Sequence, residues 1–272
     1  MKMLKTTQPG KPLVSIVTPV FNGSRYLEQT IKSVLAQTYD NIEYIIIDGG
    51  SKDGSIDIIK KYGQQVDFWS SASDAGMYDA VNKGLKIASG EILAYLNSDD
   101  LYYPDTVEFA VDYFKKNAAA ELIYGNCDFI DSHSNFLYNY RYPTFRWEFF
   151  ISRYTSSIPQ QTTFWRRGIH HKIGYFDSGL KMCGDFDFYA KAGQCCRIDH
   201  AQRTLAKYRI HAASLTTTQV AQNKKEVDIL HRRYQVFKGM QRSFFRLWAE
   251  AEVKCLNWAL ISRKLMRYVV KK

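Results

Sequence analysis

A chain of 272 residues, 46% of them hydrophobic, has room for one large α/β domain with an appendage and too much apolar content to be disordered. Its net charge of +10 is unevenly placed: Ala221 to Lys272 holds 13 Lys/Arg against four Asp/Glu, which leaves the body at only +1. A nearly neutral body without an RNA-binding or zinc-finger signature argues against nucleic acid as the partner.

The five cysteines (Cys127, Cys183, Cys195, Cys196 and Cys255) are odd in number and contain no CxxC pair. That argues against a zinc site or a disulfide framework and for a reducing compartment. Pro9, Gly10 and Pro12 interrupt any signal-peptide core, and no apolar run approaches the ~18 residues of a membrane span. The expected location is the cytoplasm, with the inner face of the plasma membrane as the surface open to the basic tail.

In chain order, Leu13–Pro19 is a continuous apolar run, as expected of a strand buried on both faces. Asn22 or Ser24 can cap a helix through Tyr26–Ala36, with Leu27, Ile31, Val34 and Leu35 on one face. Glu43–Ile47 predicts a second buried strand, and Ile56–Tyr62 a helix after the turn cluster Gly49–Ser55. Asp67–Ser71 predicts a short strand, Met77–Ala88 a helix, Glu91–Leu96 a strand, and Pro104 opens a helix through Lys116. Leu122–Tyr124 and Asp128–Ile130 predict two further strands. Alternating strand and helix argues for a largely parallel sheet, with ligands beyond the carboxyl ends of its strands. Polar clusters follow three of these strands, at Thr18–Asn22, Asp48–Ser51 and Asn97–Asp100, and suggest one shared crevice.

Each cluster has two readings on pattern alone. Asp99 and Asp100 can hold Mg²⁺ or Mn²⁺ on a diphosphate, or merely cap the next helix. Asp48 can accept a hydrogen bond from a base or ribose, or form an Asx-turn before Gly49-Gly50; Ser51 and Asp53 can cap. Asp74 to Gly84 enters a helix whose N-terminus offers free N–H groups to an anion, with Tyr78, Asp79, Asn82 and Lys83 on overlapping faces. Asp185 and Asp187, set among Phe186 and Phe188, can supply a screened general base or start a helix. His211 is a lone histidine, a type that is usually structural.

As an ordered set, these residues resemble glycosyltransferase family 2 from about Val14 to about Thr217. The resemblance rests on Val14–Asn22, Ser33–Tyr39, Ile45–Ser55 and Ser89-Gly90-Glu91 through Asn97-Ser98-Asp99-Asp100. It implies the GT-A fold, a Rossmann-like, mostly parallel sheet flanked by helices, with a nucleotide-diphosphate sugar donor and a divalent metal, Mn²⁺ or Mg²⁺. Pro19, Phe21 and Asn22 would line the nucleotide pocket, Asp48 would read the base, the uracil N3–H of a UDP-sugar, and Ser51 would also lie on the donor. Asp74, Gly76 and Asn82 would lie near ribose and diphosphate, with Asn97 and Ser98 also on the donor. Asp99 matches the metal-binding aspartate, His211 a histidine that reaches the metal, and Asp185 the base of inverting members. The chain departs from the pattern at Asn97, where the first motif aspartate is expected, and at Gly184, where many relatives carry Glu; the second leaves Asp185 and Asp187 both open as the base. Gln161 and Trp165 are candidate acceptor contacts, Trp165 by stacking on a sugar ring or else by packing in the core.

The division expected is a tail over 1–12, a catalytic domain over 13–218 and a basic amphipathic helical extension over 219–272. Leu230, Tyr234, Phe237, Phe245, Trp248, Leu256 and Leu260 have helical spacing, with Arg232, Arg233, Lys238, Arg242, Arg246 and Arg263 interleaved. Such a segment can lie on an anionic membrane or pack on the domain. The favoured function is sugar transfer to a saccharide or lipid-linked saccharide acceptor in cell-surface polysaccharide synthesis. The alternative is a catalytically weak or inactive nucleotide- or carbohydrate-binding domain, which Asn97 supports and Asp99, Asp185 and His211 oppose.

Overall fold

The computed structural model describes residues 10–152, 158–234, 240–258 and 260. Most of the expected N-terminal tail, together with Phe237, Lys238 and Arg263, lies outside them. The elements in order are β1 (Val14–Val20), α1 (Ser24–Leu35), β2 (Ile42–Asp48), α2 (Ser55–Tyr62), β3 (Phe68–Ser71), α3 (Met77–Ile87), β4 (Ile92–Tyr95), β5 (Leu101–Tyr102) and α4 (Thr106–Lys116). They continue with β6 (Leu122–Ile130), β7 (Phe136–Tyr140), α5 (Trp147–Ser152), a 3₁₀ turn at Gln160–Thr162, β8 (Phe164–Arg166) and α6 (Ile169–Ile173). The last are α7 (Gly184–Cys195), β9 (Ile198–Arg209), α8 (Leu215–Thr218), α9 (Val220–Arg233) and α10 (Met240–Leu256).

The strand order is β3-β2-β1-β4-β8-β6-β9-β5, with β7 added on β6. The first four strands are parallel, as the alternation of strand and helix requires. The second half is mixed: β8 runs antiparallel to both β4 and β6, and β6 runs parallel to β9. The longest pairings, β1–β2 and β6–β9, are parallel, and the antiparallel pairings are the shorter ones at β5, β7 and β8. The two short segments expected around Gly125 are one strand, β6, whose register against β9 shifts there. A Cβ on Gly125 would lie 2.5 Å from the Arg203 carbonyl oxygen, so the two backbones approach at that point.

Side-chain alternation splits the apolar runs between two cores. Ile16, Tyr44, Ile46, Ile92, Ala94 and Phe164 face α1, α2 and α4. Val17, Ile45, Ile47, Leu93, Tyr95 and Trp165 face α3, α7 and α9. Helix α9 belongs to the second core, because Val227, Leu230 and Tyr234 are buried in it.

Neither Asn22 nor Ser24 caps α1. Its N-cap is Gly23, and its free N–H groups are satisfied from the next crossover: Gly23 donates to Ser55 Oγ at 3.0 Å and Ser24 to Asp53 Oδ2 at 2.8 Å. Helix α3 lies close on β1 because Gly84 carries no side chain; a Cβ there would sit 2.4 Å from Val17 Cγ1. Gly84→Ala gains about 0.8–1 kcal/mol of helix propensity but overpacks the core, at about 1–3 kcal/mol. We expect net destabilisation in urea unfolding, opposite in sign to the propensity term.

Candidate active site

The crevice is built where β1, β2, β3 and β4 end. Asp48, the last residue of β2, is fully buried, and a buried carboxylate needs donors. It has four: the N–H groups of Gly50 and Ser51, both at 3.0 Å, and the hydroxyls of Ser51 and Ser71. Asp48 therefore ties the rim together, with three of these donors on Oδ2 and one on Oδ1. Ser51, itself buried, is part of the same knot and also accepts from the Asn22 N–H at 2.7 Å.

The loop after β1 is bound into this rim. Asn22 adopts a left-handed φ of 50° and its side-chain carbonyl accepts from Lys52 N–H at 2.9 Å. Phe21 is 67% exposed at the mouth, where an apolar ring is available to a ligand. Pro19 is buried within β1 and can line a pocket only through its backbone. Its missing N–H costs nothing because pairing with β4 ends at Val17. Ser98, after β4, packs against Gly23, where a Cβ would be 2.9 Å from Ser98 Oγ.

Asp74 is the carboxylate left partly open on this side. It accepts from Gly76 N–H at 2.8 Å and lies on Gly49, where a Cβ would meet Asp74 Oδ2 at 2.6 Å. Gly76 holds φ at +122° at the start of α3, a conformation that L side chains rarely adopt. Asn82, the sixth residue of α3, is instead buried and clasps Phe176: its amide donates to the Phe176 carbonyl at 2.8 Å and its carbonyl accepts from Phe176 N–H at 3.1 Å. The donor role expected of Asn82 is therefore replaced by a structural one.

At the end of β4, Asp99 Oδ2 lies 2.9 Å from His211 Nε2, joining residues 112 apart in the chain. The imidazole is held against the Tyr26 ring with centroids 4.8 Å apart. Asp100 turns inward, is 1% exposed, and accepts from Arg209 N–H at 2.9 Å. Burial, and then the neighbouring Asp99 charge, push the Asp100 carboxyl well above the usual carboxylate range. Asn97 donates to Gln160 Oε1 at 3.2 Å, while its own carbonyl oxygen is buried without a donor.

Helix α7 separates its two acids. Asp187 is fully buried, paired with Arg233 at 2.7 Å and Lys191 at 2.6 Å, and accepts from the Tyr234 hydroxyl at 2.7 Å. It anchors α9. Asp185, two residues earlier, points from the first turn towards α3 and remains partly exposed. The Tyr78 hydroxyl lies 3.2 Å from Asp185 Oδ1 and 3.1 Å from the Met182 carbonyl, with one proton to give. Screening from water raises the Asp185 pKa from 3.8 to about 6, against the opposing hydrogen bonds from Phe186 N–H and Tyr78. Gly184 makes this contact possible: a Cβ there would lie 2.7 Å from the Tyr78 ring.

The two candidate acceptor contacts are internal. Trp165 is fully buried, with its indole N–H donating to His170 Nε2 at 3.0 Å. Gln161 is buried and donates to Cys127 Sγ at 3.1 Å. Neither can meet a sugar, since each lies inside the layer that supports the crevice. Tyr78 was placed from the sequence on the face of α3 but not beside Asp185, and Gln160 was not placed; both contacts join residues distant in the chain.

Residues 15–177 match the family model for glycosyl transferase family 2. The chain belongs to that family. A glycosyltransferase of Rickettsia prowazekii is 34% identical over 224 residues, spanning 80% of this chain and 70% of the relative. Among solved structures, residues 1–349 of S. aureus TarS in complex with UDP-GlcNAc match with a TM-score of 0.66 at 16% identity, over 86% of this chain and 70% of that one. The mannosyltransferase PcManGT from Pyrobaculum calidifontis, in complex with GDP-Man and Mn²⁺, matches at 0.64 and 17%, over 92% and 72%. These likenesses establish the GT-A fold for this family 2 glycosyltransferase.

The two acids of α7 should respond oppositely to neutralisation. Asp187→Ala removes hydrogen bonds between charged groups, each contributing about 1.5–3 kcal/mol, and should lower the urea midpoint. The raised pKa of Asp185 means that the native state binds the proton more tightly, so its contribution is favourable at low pH and lost as pH rises from 3.8 through about 6. Asp185→Asn should therefore leave the melting temperature at pH 7.5 equal to or above that of the wild type.

Proposed function

We propose that this chain is an inverting transferase that moves a sugar from a UDP-sugar to a saccharide or lipid-linked saccharide acceptor in cell-surface polysaccharide synthesis. The observation that carries the reading is Asp185, partly open and set beside Tyr78, with a pKa near 6. A base of that strength is largely ionised at neutral pH and still accepts a proton as one is released. The acceptor hydroxyl gives its proton to Asp185 while its oxygen bonds to the anomeric carbon. The bond from that carbon to the diphosphate breaks, and its electron pair leaves with the nucleoside diphosphate. Attack opposite the leaving group inverts the anomeric configuration.

Asp99 and His211 present one carboxylate and one imidazole, and the unpartnered Asn97 carbonyl lies in the same loop. Among the described residues no group of three or more His, Cys, Asp or Glu forms a ready metal cage. The set fits instead a Mn²⁺ or Mg²⁺ ion that keeps much of its coordination for phosphate and water. Asp99 and His211 would hold such an ion, and the chemistry it would supply there is neutralisation of charge on the departing diphosphate. Asp74, lying on Gly49, is a carboxylate available to base or ribose. Donor class is supported by the nucleotide-sugars of TarS and PcManGT, and a metal by the Mn²⁺ of the latter. Asn97 favours the second reading, a domain that binds donor with weak turnover.

A panel of nucleotide-sugars with Mn²⁺ or Mg²⁺, read as nucleoside diphosphate release, tests the proposal. UDP-sugars should be turned over, Asp99→Ala should lose most of that activity, and Asp74→Ala should raise the donor KM. Preference for a GDP-sugar would remove the UDP assignment, and donor binding without release would favour the second reading. With an acceptor, Asp185→Asn should lower kcat about 10²–10⁴-fold. The wild-type rate should fall as pH drops through about 6, where Asp185 takes up its proton.

A further inference from the structure

Helix α10 is apolar on two opposite sides, and only one of them is packed. Its inner side carries Ala249 and Val253, both buried, and continues to Asn257, which clasps the Arg141 backbone through two hydrogen bonds at 3.0 and 2.9 Å. Phe245 and Trp248 reach the Phe149 ring of α5 at centroid distances of 5.9 and 5.4 Å. The outer side repeats at helical spacing through Phe244, Leu247, Trp248, Ala251 and Cys255 and continues to Trp258, all of them exposed. Exposure reaches 56% for Phe244, 61% for Leu247, 51% for Trp248 and 67% for Trp258. A helix with apolar residues on both sides is expected to be covered on both.

Charge selects the cover. The acids of α10 are both paired, Glu252 with Arg146 and Glu250 with Arg246, so neither opposes an anionic surface as a lone charge. The sequence that follows, residues 261–272, holds five Lys/Arg and no Asp/Glu. Exposed tryptophans at two points along an apolar stripe, followed by a basic run, match the chemistry of the bilayer interface. No described helix is long and apolar enough to cross a membrane, which leaves attachment in the plane of the surface.

We propose that the outer face of α10 docks on the surface of an anionic lipid bilayer. Helix α9 takes no part, because its apolar side is already spent in the core. The docked helix rests on α5, and Phe150 of α5 stacks on Phe186 of α7 at 4.6 Å, next to Asp185. Helix α5 thus touches α10 through Phe149 and α7 through Phe150. The docking claim does not depend on the transferase reading.

Flotation of the full chain with vesicles tests it. The wild type should float with phosphatidylcholine vesicles containing phosphatidylglycerol, far less with phosphatidylcholine alone, and less again at high salt. The triple variant Phe244→Ser, Leu247→Ser, Trp258→Ser should bind at least about tenfold less while keeping the wild-type melting temperature and nucleoside diphosphate release. Should the triple variant fail to fold, bromine-labelled phosphatidylglycerol vesicles should still quench the tryptophan fluorescence of the wild type, and Trp258→Phe should reduce that quenching. Absence of flotation and quenching in the wild type would overturn the proposal, as would equal flotation of a folded triple variant. A wild-type dimer that the triple variant converts to monomer, with no vesicle binding by either, would instead assign the face to a second copy of the chain.

Discussion

A carboxylate cannot be buried alone, and that constraint at Asp48 shapes the ligand-facing end of this molecule. Its donors come from the turn after β2 and from β3, so satisfying one charge fixes the relative positions of two crossovers. Through Ser51 the same knot reaches Asn22 and sets the loop after β1. The side chains of Asp53 and Ser55 then complete the first turn of α1. A rim assembled in this way is held together by the protein's own hydrogen bonds.

The same economy of placement separates the acids of α7. Asp185 and Asp187 are two positions apart, and a helix turns about 200° over that interval, so they face different surroundings. Asp187 meets Arg233, Lys191 and Tyr234 and is held as an anchor. Asp185 meets Tyr78 and an otherwise poorly hydrated wall, and its proton affinity rises. Environment, not residue type, divides a structural carboxylate from one available for proton transfer. Gly184 is part of that division, since any side chain there would push Tyr78 away.

Family membership and fold give a coarse assignment, that of a GT-A glycosyltransferase. The finer chemistry rests on local facts. Asp99 and His211 come together from β4 and the end of β9, and Asp74 fills the space that a side chain at Gly49 would need.

Apolar runs and their spacing were sufficient to determine the parallel half of the sheet and its helices. Buried parallel strands are continuous in hydrophobicity, so β1, β2 and β4 are legible without knowing their neighbours. The mixed half was not legible in this way. β5 and β8 are only two and three residues long, too short to carry a period, and they exist because distant strands pair with them. The roles of Asn82, Gln161 and Trp165 were likewise decided by tertiary packing. A residue's type says what it can bind, but burial and the partners that reach it first decide whether any of that capacity remains for a ligand.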